Sequence, residues 1–471
     1  MTNILLSKAN YIVFLIFFGY FVVLTAFYFF LAVVGFIEGR KRSWESEEED
    51  YPLAYLSTMA IPVSIILPAR NEEEWIRDSL LSILNQNYPK FEVIIVNDGS
   101  TDRTMEILNE VLKLKPYDIP YIKHYKDGQV KEILKSEIHP NVTVISKLPG
   151  VKKAGAVNAG LNMARNDYVC GIDADTVLEP NALLKVMAHV EKDPERIIGI
   201  GSYFGLANGL KIKDGRIMKR SYSWNPIIAC QNLEYIRSFI GNRIAWSRFN
   251  AMPIIAGGFA IWRRDILYEL GGYSANFTCE DIEFTFRARD YMAKNKDKDY
   301  KIIMLPYHVG WTEGPANARS LILQRNRWQR VTNETIWHYK YMLLNPRYGS
   351  FAYLAMPYFL LYEVLGVFFE IASLAFVAIG WTAGALNLNT FIAFLCLMIL
   401  SQCVISLLSI LAFARSQRIF RLPYIVYLVV LTFLEFFWYR WIISLAKLSG
   451  MYSYARKVTT FDQYARPKRS A

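Results

Sequence analysis

Cysteine is scarce in this chain: five in 471 residues, at positions 170, 230, 279, 396 and 403, with no CxxC spacing among them. Neither a disulfide framework nor a zinc site fits that scatter, and the five read as small buried hydrophobes. Charge is sparse as well. Asp, Glu, Lys and Arg make up 20% of the residues against 53% hydrophobic ones, which excludes a disordered chain. The formal net charge is +11, yet no motif of RNA or DNA recognition accompanies it, so anionic lipid and an anionic substrate are the implied partners rather than nucleic acid. No small-residue cleavage site follows the first apolar block, which exceeds the roughly 7 to 15 residues of a signal-peptide core. It reads as an anchor that stays in the membrane.

What is abundant is uninterrupted apolar sequence. Tyr11 to Ile37 carries no charged residue over 27 positions, where about 20 suffice to cross the hydrocarbon core. Gly39-Arg40-Lys41-Arg42 follows, a basic flank that by the positive-inside rule places what comes next in the cytoplasm. Three further blocks lie at 351 to 380, 390 to 414 and 422 to 446. Phe391 to Ala414 is free of charge and is followed by Arg415, Arg418 and Arg421, a cytoplasmic loop by the same rule. Three C-terminal spans leave Arg456, Lys457, Arg466, Lys468 and Arg469 outside, against that rule, so the span count stays open by one. Glu435 and Arg440 in the last block either turn toward protein within a true span or lie at the interface. The acidic run Glu45 to Asp50 reads as a solvated juxtamembrane face.

Between the anchor and residue 350 the composition is that of an α/β domain of about 300 residues, enough for a sizeable core. Pro62 to Pro68 predicts a buried strand, and Arg70-Asn71-Glu72-Glu73-Glu74 opens a helix reaching Asn87. A second strand, Phe91 to Val96, ends in Asn97-Asp98-Gly99-Ser100-Thr101-Asp102, a turn able to cap a helix over Arg103 to Leu114. Residues 116 to 140 are polar and read as an exposed insertion. Val142 to Ser146 and Tyr168 to Ile172 are two more strands. The alternation predicts a doubly wound, mostly parallel sheet with ligands beyond the carboxyl ends of its strands, where Arg70, Glu72 and Asp98 fall.

Lys152 and Lys153 open a helix at its anion-favouring end, a place for a diphosphate; a plain small-residue helix with two surface lysines is the competing reading. Asp173 and Asp175, two positions apart after a strand, suit a hard divalent cation bridging phosphates, although such pairs also serve as turn or cap residues. Cys279-Glu280-Asp281 places acids in the first turn of a helix. Gln324, Arg327 and Trp328, at i, i+3 and i+4, share one helical face. The alternative there is an amphipathic interfacial helix, Leu321 to Tyr341, with Trp337 and Tyr341 near headgroups.

In this order, Asp98, Asp173, Asp175, Cys279-Glu280-Asp281 and Gln324-Arg325-Asn326-Arg327-Trp328 resemble the processive branch of glycosyltransferase family two. Cellulose, chitin, hyaluronan and poly-N-acetylglucosamine synthases belong to that branch. The resemblance runs from about Pro62 to Gln329 and extends to membrane spans on both sides. It implies a GT-A-type α/β fold, a doubly wound mostly parallel sheet inserted between transmembrane helices. The organisation it implies is a span at 1–38, a juxtamembrane linker at 39–60, a cytosolic catalytic domain at 61–320 and interfacial helices with the QxxRW motif at 321–350, then about three spans at 351–448 and a basic tail at 449–471.

Carried onto these positions, the resemblance implies that Arg70, Glu72 and Asp98 surround the nucleoside and that Lys153 and Arg327 face the diphosphate. It places Asp173 by the ribose and diphosphate, with Asp175 ligating Mg2+ or Mn2+. Asp281 is the implied base, with Glu280 beside it, and Gln324, Trp328, Gly257 and Gly258 fall on the acceptor side together with the Gln231–Tyr235 segment. The family usually reads Thr-Glu-Asp where this chain reads Cys279-Glu280-Asp281, a departure at the first position only, with Thr278 one place earlier.

The implied activity is elongation, with inversion, of a β-linked polysaccharide from a UDP-sugar, UDP-N-acetylglucosamine or UDP-glucose, with extrusion of the product. The alternative is transfer of a single sugar to a membrane lipid acceptor. Glu363 and Glu370, seven apart, share a helical face and read either as lining a polar sugar channel or as a helix–helix contact. Sequons at Asn141, Asn276 and Asn333 fall on the cytosolic side of a multi-pass membrane protein and are expected to be unmodified.

Overall fold

The computed structural model describes residues 2–47, 60–150, 152–219, 221–384, 387–417 and 420–458. The side chains of Glu45 to Asp50, of Arg415 and Arg418, and of the terminal Arg466, Lys468 and Arg469 lie outside the described residues.

Twelve strands are described: β1 (Val63–Ala69), β2 (Phe91–Asn97), β3 (Leu114–Pro116), β4 (Val130–Ser136), β5 (Val142–Lys147), β6 (Tyr168–Ile172), β7 (Val177–Leu178), β8 (Ile197–Leu206), β9 (Lys211–Lys213), β10 (Arg216–Lys219), β11 (Phe259–Arg263) and β12 (Lys301–Thr312). Ten form one sheet in the order β3-β4-β5-β2-β1-β6-β11-β8-β12-β7, and β9 pairs with β10 as a separate hairpin. The strands β5, β2, β1 and β6 are mutually parallel, with Val63 opposite Phe91 on one side and Tyr168 on the other. Beyond them β11 runs antiparallel to both β6 and β8, while β8 and β12 are parallel. Seven of the ten described strands therefore point the way β1 does, so the predicted mostly parallel sheet is present, with two reversed strands inside it, β4 and β11, and a third, β7, at its edge.

The central strands are apolar throughout because both faces are covered, as Ile65, Ile66, Leu67 and the Val93–Val96 run show by their complete burial. The crossover helices are Ile76–Leu84, Thr104–Leu112 and Lys153–Met163. The last packs so tightly on β1 that a Cβ on Gly160 would stand 2.5 Å from Ile66 Cγ2. Residues 116–140 are not simply an exposed insertion. They add β3 and β4 to the sheet edge and bury the Asp127 carboxylate against Lys123, Tyr121 and Asn162. Next to the edge strand β3, β4 keeps Lys131 and Glu132 in water while Leu134 and Ser136 are buried, which is why Val130-Lys131-Glu132-Ile133-Leu134-Lys135 looks polar as a sequence.

The apolar blocks all form helices. Among the described residues two are by themselves long and apolar enough to cross a membrane, within Tyr11–Arg42 and Leu388–Ala414. The count reaches four if each of two bent pairs is one span: Phe351–Val364 with Gly366–Thr382, bent by 44°, and Leu422–Phe437 with Tyr439–Ala455, bent by 55°. The N-terminal helix continues to Glu47 and docks on the α/β domain through Glu38, paired with Arg248 at 3.0 Å, and Arg42, which donates to the Met304 carbonyl. Gly35 lets it touch the π-helix Ile236–Arg243, since a Cβ there would fall 2.1 Å from the Gly241 carbonyl oxygen. Of the cysteines, 170, 230 and 403 are buried as expected, whereas Cys396 is exposed on the Leu388–Gln417 helix and Cys279 is half-buried.

Candidate active site

A cavity of about 1490 Å3 opens along the carboxyl edge of the sheet and continues between the apolar helices. That exceeds the roughly 300 to 1,000 Å3 typical of a single small-molecule pocket, leaving room for two substrates at once. Its wall includes every site residue read from the sequence, from Arg70 on β1's exit to Trp328 on the Ala318–His338 helix.

At one end lie the exits of β1 and β2. Asp98 follows β2, nearly buried, and its Oδ1 accepts from the Gly150 amide at 2.9 Å and from Lys147 Nζ. Lys147, the last residue of β5, is wholly buried and forms the ion pair that makes Asp98's burial tolerable. Arg70 reaches the Gly150 carbonyl at 2.8 Å and stands 3.9 Å from Asp98. Glu72 is held by its own amide, which donates to Thr104 Oγ1 at 2.8 Å.

The centre is built on three elements. Lys153 begins its helix on the cavity wall, pairing with Asp173 and, at 2.9 Å, with Glu280. Burial pulls the lysine's pKa down, but Asp173 and Glu280 outweigh it and hold the ammonium well above its ordinary range. Asp175 is nearly buried after β6 and accepts from the Thr312 hydroxyl at 3.2 Å, at the end of β12. Asp281 sits in the first turn of the Glu280–Lys294 helix, where its carboxylate accepts from Ile282 N at 2.7 Å and from Gly257 N at 3.2 Å. Burial, and then Glu280, push the Asp281 pKa upward against Lys153 and the two amides. Cys279 beside it is driven well up by burial and the two acids, so it stays a thiol.

Gln324 and Arg327 line the wall above, with Gln324 Oε1 and Arg327 Nε buried and without a hydrogen-bond partner among the described residues. Trp328 is partly exposed to the cavity and carries the Arg325 guanidinium over its ring at 4.1 Å. Arg325 in turn binds Glu234 at 2.6 Å, and Tyr439 donates to the same carboxylate. The loop before Asp281 is tied to this helix by the Thr278 amide on Glu334 at 2.8 Å. The C-terminal helix presses against it too: a Cβ on Gly450 would stand 2.7 Å from the Asn326 carbonyl oxygen and from Gln329 Cβ.

Between the apolar helices the cavity is walled by acid–base pairs. Glu363 holds Lys447 at 2.9 Å and accepts from Tyr358, and Glu370 holds Arg440 at 3.1 Å. Glu435 pairs with Arg237 of the π-helix. Glu435 and Arg440 thus turn toward protein, one of the two readings the sequence left open. Sequence reasoning missed Lys147, Arg243 and Arg325. A lysine closing an apolar strand and an arginine inside the Gln324–Trp328 motif were signals for two of them; for Arg243, in a mixed stretch that also holds Arg237, Ser238 and Asn242, the sequence offers none.

A parallel-centred sheet with carboxylates and cations gathered at its carboxyl edge is the arrangement of GT-A-like transferases. Residues 64–135 and 127–271 match the family described as Glycosyl transferase family 2, and this stretch is a glycosyltransferase domain of that family. The chain is 28% identical over 275 residues to the poly-β-1,6-N-acetyl-D-glucosamine synthase of Staphylococcus epidermidis, spanning 58% of this chain and 55% of that one. It is 29% identical over 300 residues to the probable glycosyltransferase YdaM of Bacillus subtilis (strain 168), spanning 62% and 61%. It therefore spans between half and two thirds of the length of the curated relatives it matches. The mannosyltransferase PcManGT from Pyrobaculum calidifontis, solved with GDP-Man and Mn2+, superimposes with a TM-score of 0.54 at 18% identity, over 92% of this chain and 99% of that one. That likeness establishes the shared fold.

Proposed function

We propose that the chain is a membrane-embedded, inverting glycosyltransferase that elongates a β-linked glycan from a UDP-sugar, UDP-N-acetylglucosamine or UDP-glucose, and passes it outward along its membrane helices. The observation that carries this reading is one cavity joining the sheet's carboxyl edge to the membrane helices, with Asp281 at the junction. Similarity to a poly-N-acetylglucosamine synthase supports the sugar and the polymer.

In this reading Arg70, Glu72 and Asp98 bind the nucleoside, and Lys153 and Arg327 neutralise the diphosphate. Asp281 takes the proton from the acceptor hydroxyl as that oxygen bonds to the anomeric carbon and the bond to the diphosphate breaks. Gly257 holds the base through its amide, and Glu280 orients Lys153 beside it. Gln324, Trp328 and Gly258, all on the cavity wall, frame the acceptor, the indole offering a flat face to a sugar ring.

Asp173 and Asp175, two carboxylates on the cavity wall, are the hard oxygen donors that would hold a Mg2+ or Mn2+ ion. Such an ion would stabilise charge on the leaving diphosphate. The basic end of the first span, Arg40-Lys41-Arg42, favours a cytoplasmic catalytic domain.

Transfer of one sugar to a membrane lipid is the second reading, favoured by a cavity that reaches among membrane helices and so admits an amphiphile. Product analysis of the purified protein in lipid, with a panel of UDP-sugars, separates the two. A long polymer from one donor supports elongation, and a lipid-extractable product one sugar long replaces it with the second reading.

A further inference from the structure

The helix that carries Asp281 begins without a side-chain cap. Cys279 occupies its N-cap position in extended backbone and makes no side-chain hydrogen bond to the first turn, where Ser, Thr, Asp or Asn would accept from one of the free amides. The Ile282 amide donates instead to Oδ1 of Asp281 itself, at 2.7 Å. The residue read as the base therefore closes its own turn. Apart from the Gly257 amide on Oδ2, the support for the chain entering this turn comes from neighbouring helices.

One support is Lys152, which donates to the Phe277 carbonyl at 2.9 Å from the start of the helix that presents Lys153. The other is the Ala318–His338 helix and the residue after it. Glu334 accepts from the Thr278 amide at 2.8 Å, and the Phe277 ring meets His338 edge-on at 5.0 Å and lies nearly parallel to Tyr339, 6.4 Å away. Tyr339 also donates to Glu283, two residues beyond Asp281, at 2.9 Å. Of the contacts on the loop, the Thr278 amide on Glu334 is the nearest to Asp281 along the chain, three residues before it. Glu334 is half-buried and is not among the described residues that line the cavity. It follows Trp328 by six residues on one helix, about 9 Å along the axis.

We propose that Glu334 is a positioning residue for Asp281. Its carboxylate, fixed on the helix that bears Gln324, Arg327 and Trp328, anchors the Thr278 amide in place of the missing side-chain cap and so sets the base in register with the acceptor hydroxyl. This rests on the glycosyltransferase reading and adds to it a residue outside the cavity wall. A carboxylate on an amide is a charge-assisted bond, strong enough to fix a loop that no cap of its own holds.

The test uses the full chain in lipid bilayers and reads UDP release from UDP-N-acetylglucosamine or UDP-glucose, whichever the wild type cleaves. Glu334→Ala should lower kcat by about tenfold with the donor KM within about twofold of wild type, since a displaced base loses rate and not donor affinity. Glu334→Gln keeps a carbonyl oxygen at the same reach and should retain most of the rate. Two comparisons separate positioning from a merely structural role. In an Asp281→Asn background, Glu334→Ala should change the residual rate by less than about twofold, because no base is left to place. Cys279→Thr, which supplies a side-chain cap, should speed Glu334→Ala by at least about threefold beyond any change it makes in the wild type. Should Glu334→Ala not fold, Glu334→Asp, one methylene short of the amide, takes its place in each comparison. Equal losses with and without Asp281, a Glu334→Gln protein as slow as Glu334→Ala, or no gain from Cys279→Thr overturns the inference. A wild type that releases no UDP from either donor removes the glycosyltransferase reading itself, whereas an active wild type matched in kcat by Glu334→Ala removes this inference alone.

Discussion

Replacing Lys153 with Met should move the acid limb of the pH–rate profile upward by about one unit. Lys153 Nζ and Asp281 Oδ2 stand 3.4 and 3.7 Å from the point a Cβ on Gly257 would occupy, so the two charges are at most about 7 Å apart. At that spacing and an effective dielectric near 20, their attraction is roughly 2 kcal/mol. One pKa unit is about 1.4 kcal/mol. Lys153's side chain is 37% exposed, and solvent screening removes roughly half of the attraction, leaving about one unit. The sign follows from the role of Asp281. As a base it works only ionised, so kcat/KM falls as pH drops through its pKa, which burial and Glu280 already hold above the ordinary 3.8. Lys153 opposes that rise, and its removal raises the pKa further. The assay is UDP-sugar turnover against pH for wild type, Lys153→Met and Glu280→Gln, the last shifting the limb downward. A Lys153→Met limb that stays in place or moves down, whatever the loss in rate, refutes the assignment of Asp281 as the titrating base.

Lys147→Met should destabilise the protein by about 3 kcal/mol, because it leaves the Asp98 carboxylate buried with only the half-exposed Arg70 guanidinium, 3.9 Å away, to answer it. Adding Asp98→Asn should recover much of that loss, read as the midpoint of chemical unfolding of the detergent-solubilised protein. Gly450→Leu should cost about 1 to 3 kcal/mol by overpacking against Asn326 and Gln329, and should slow transfer by displacing the helix that carries Trp328. A thermal melt and a turnover assay on the same sample check both effects. Chelation should abolish transfer, with Mn2+ or Mg2+ restoring it, and Asp175→Asn should require more metal for half-maximal rate; turnover that survives exhaustive chelation removes the metal from the account.

Much of the site was legible because the strands announce their own ends. Val93 to Val96 and Tyr168 to Ile172 are apolar runs that stop at acids, so Asp98, Asp173 and Asp175 could be placed on one sheet edge before any coordinates. The helical spacing of Gln324, Arg327 and Trp328 likewise fixed one face, and all three do line the cavity. Lys147 was opaque, since a lysine after a strand more often lies on the surface than under an aspartate. The reversed strand β11 was opaque too, because Phe259 to Arg263 carries no sign of direction. Hydropathy gave the blocks after residue 350 but not their bends, which come from packing. Glu363 and Glu370 therefore sit on either side of a 44° break and answer different cations, Lys447 and Arg440, rather than forming one continuous stripe.

The most direct test of the central claim is sugar transfer by the purified protein in lipid bilayers, wild type beside Asp281→Asn, with UDP-N-acetylglucosamine and UDP-glucose. The account predicts a glycosylated product from one donor and a loss of about a hundredfold or more in the variant, the usual contribution of a positioned base. A variant that transfers sugar at the wild-type rate would contradict it.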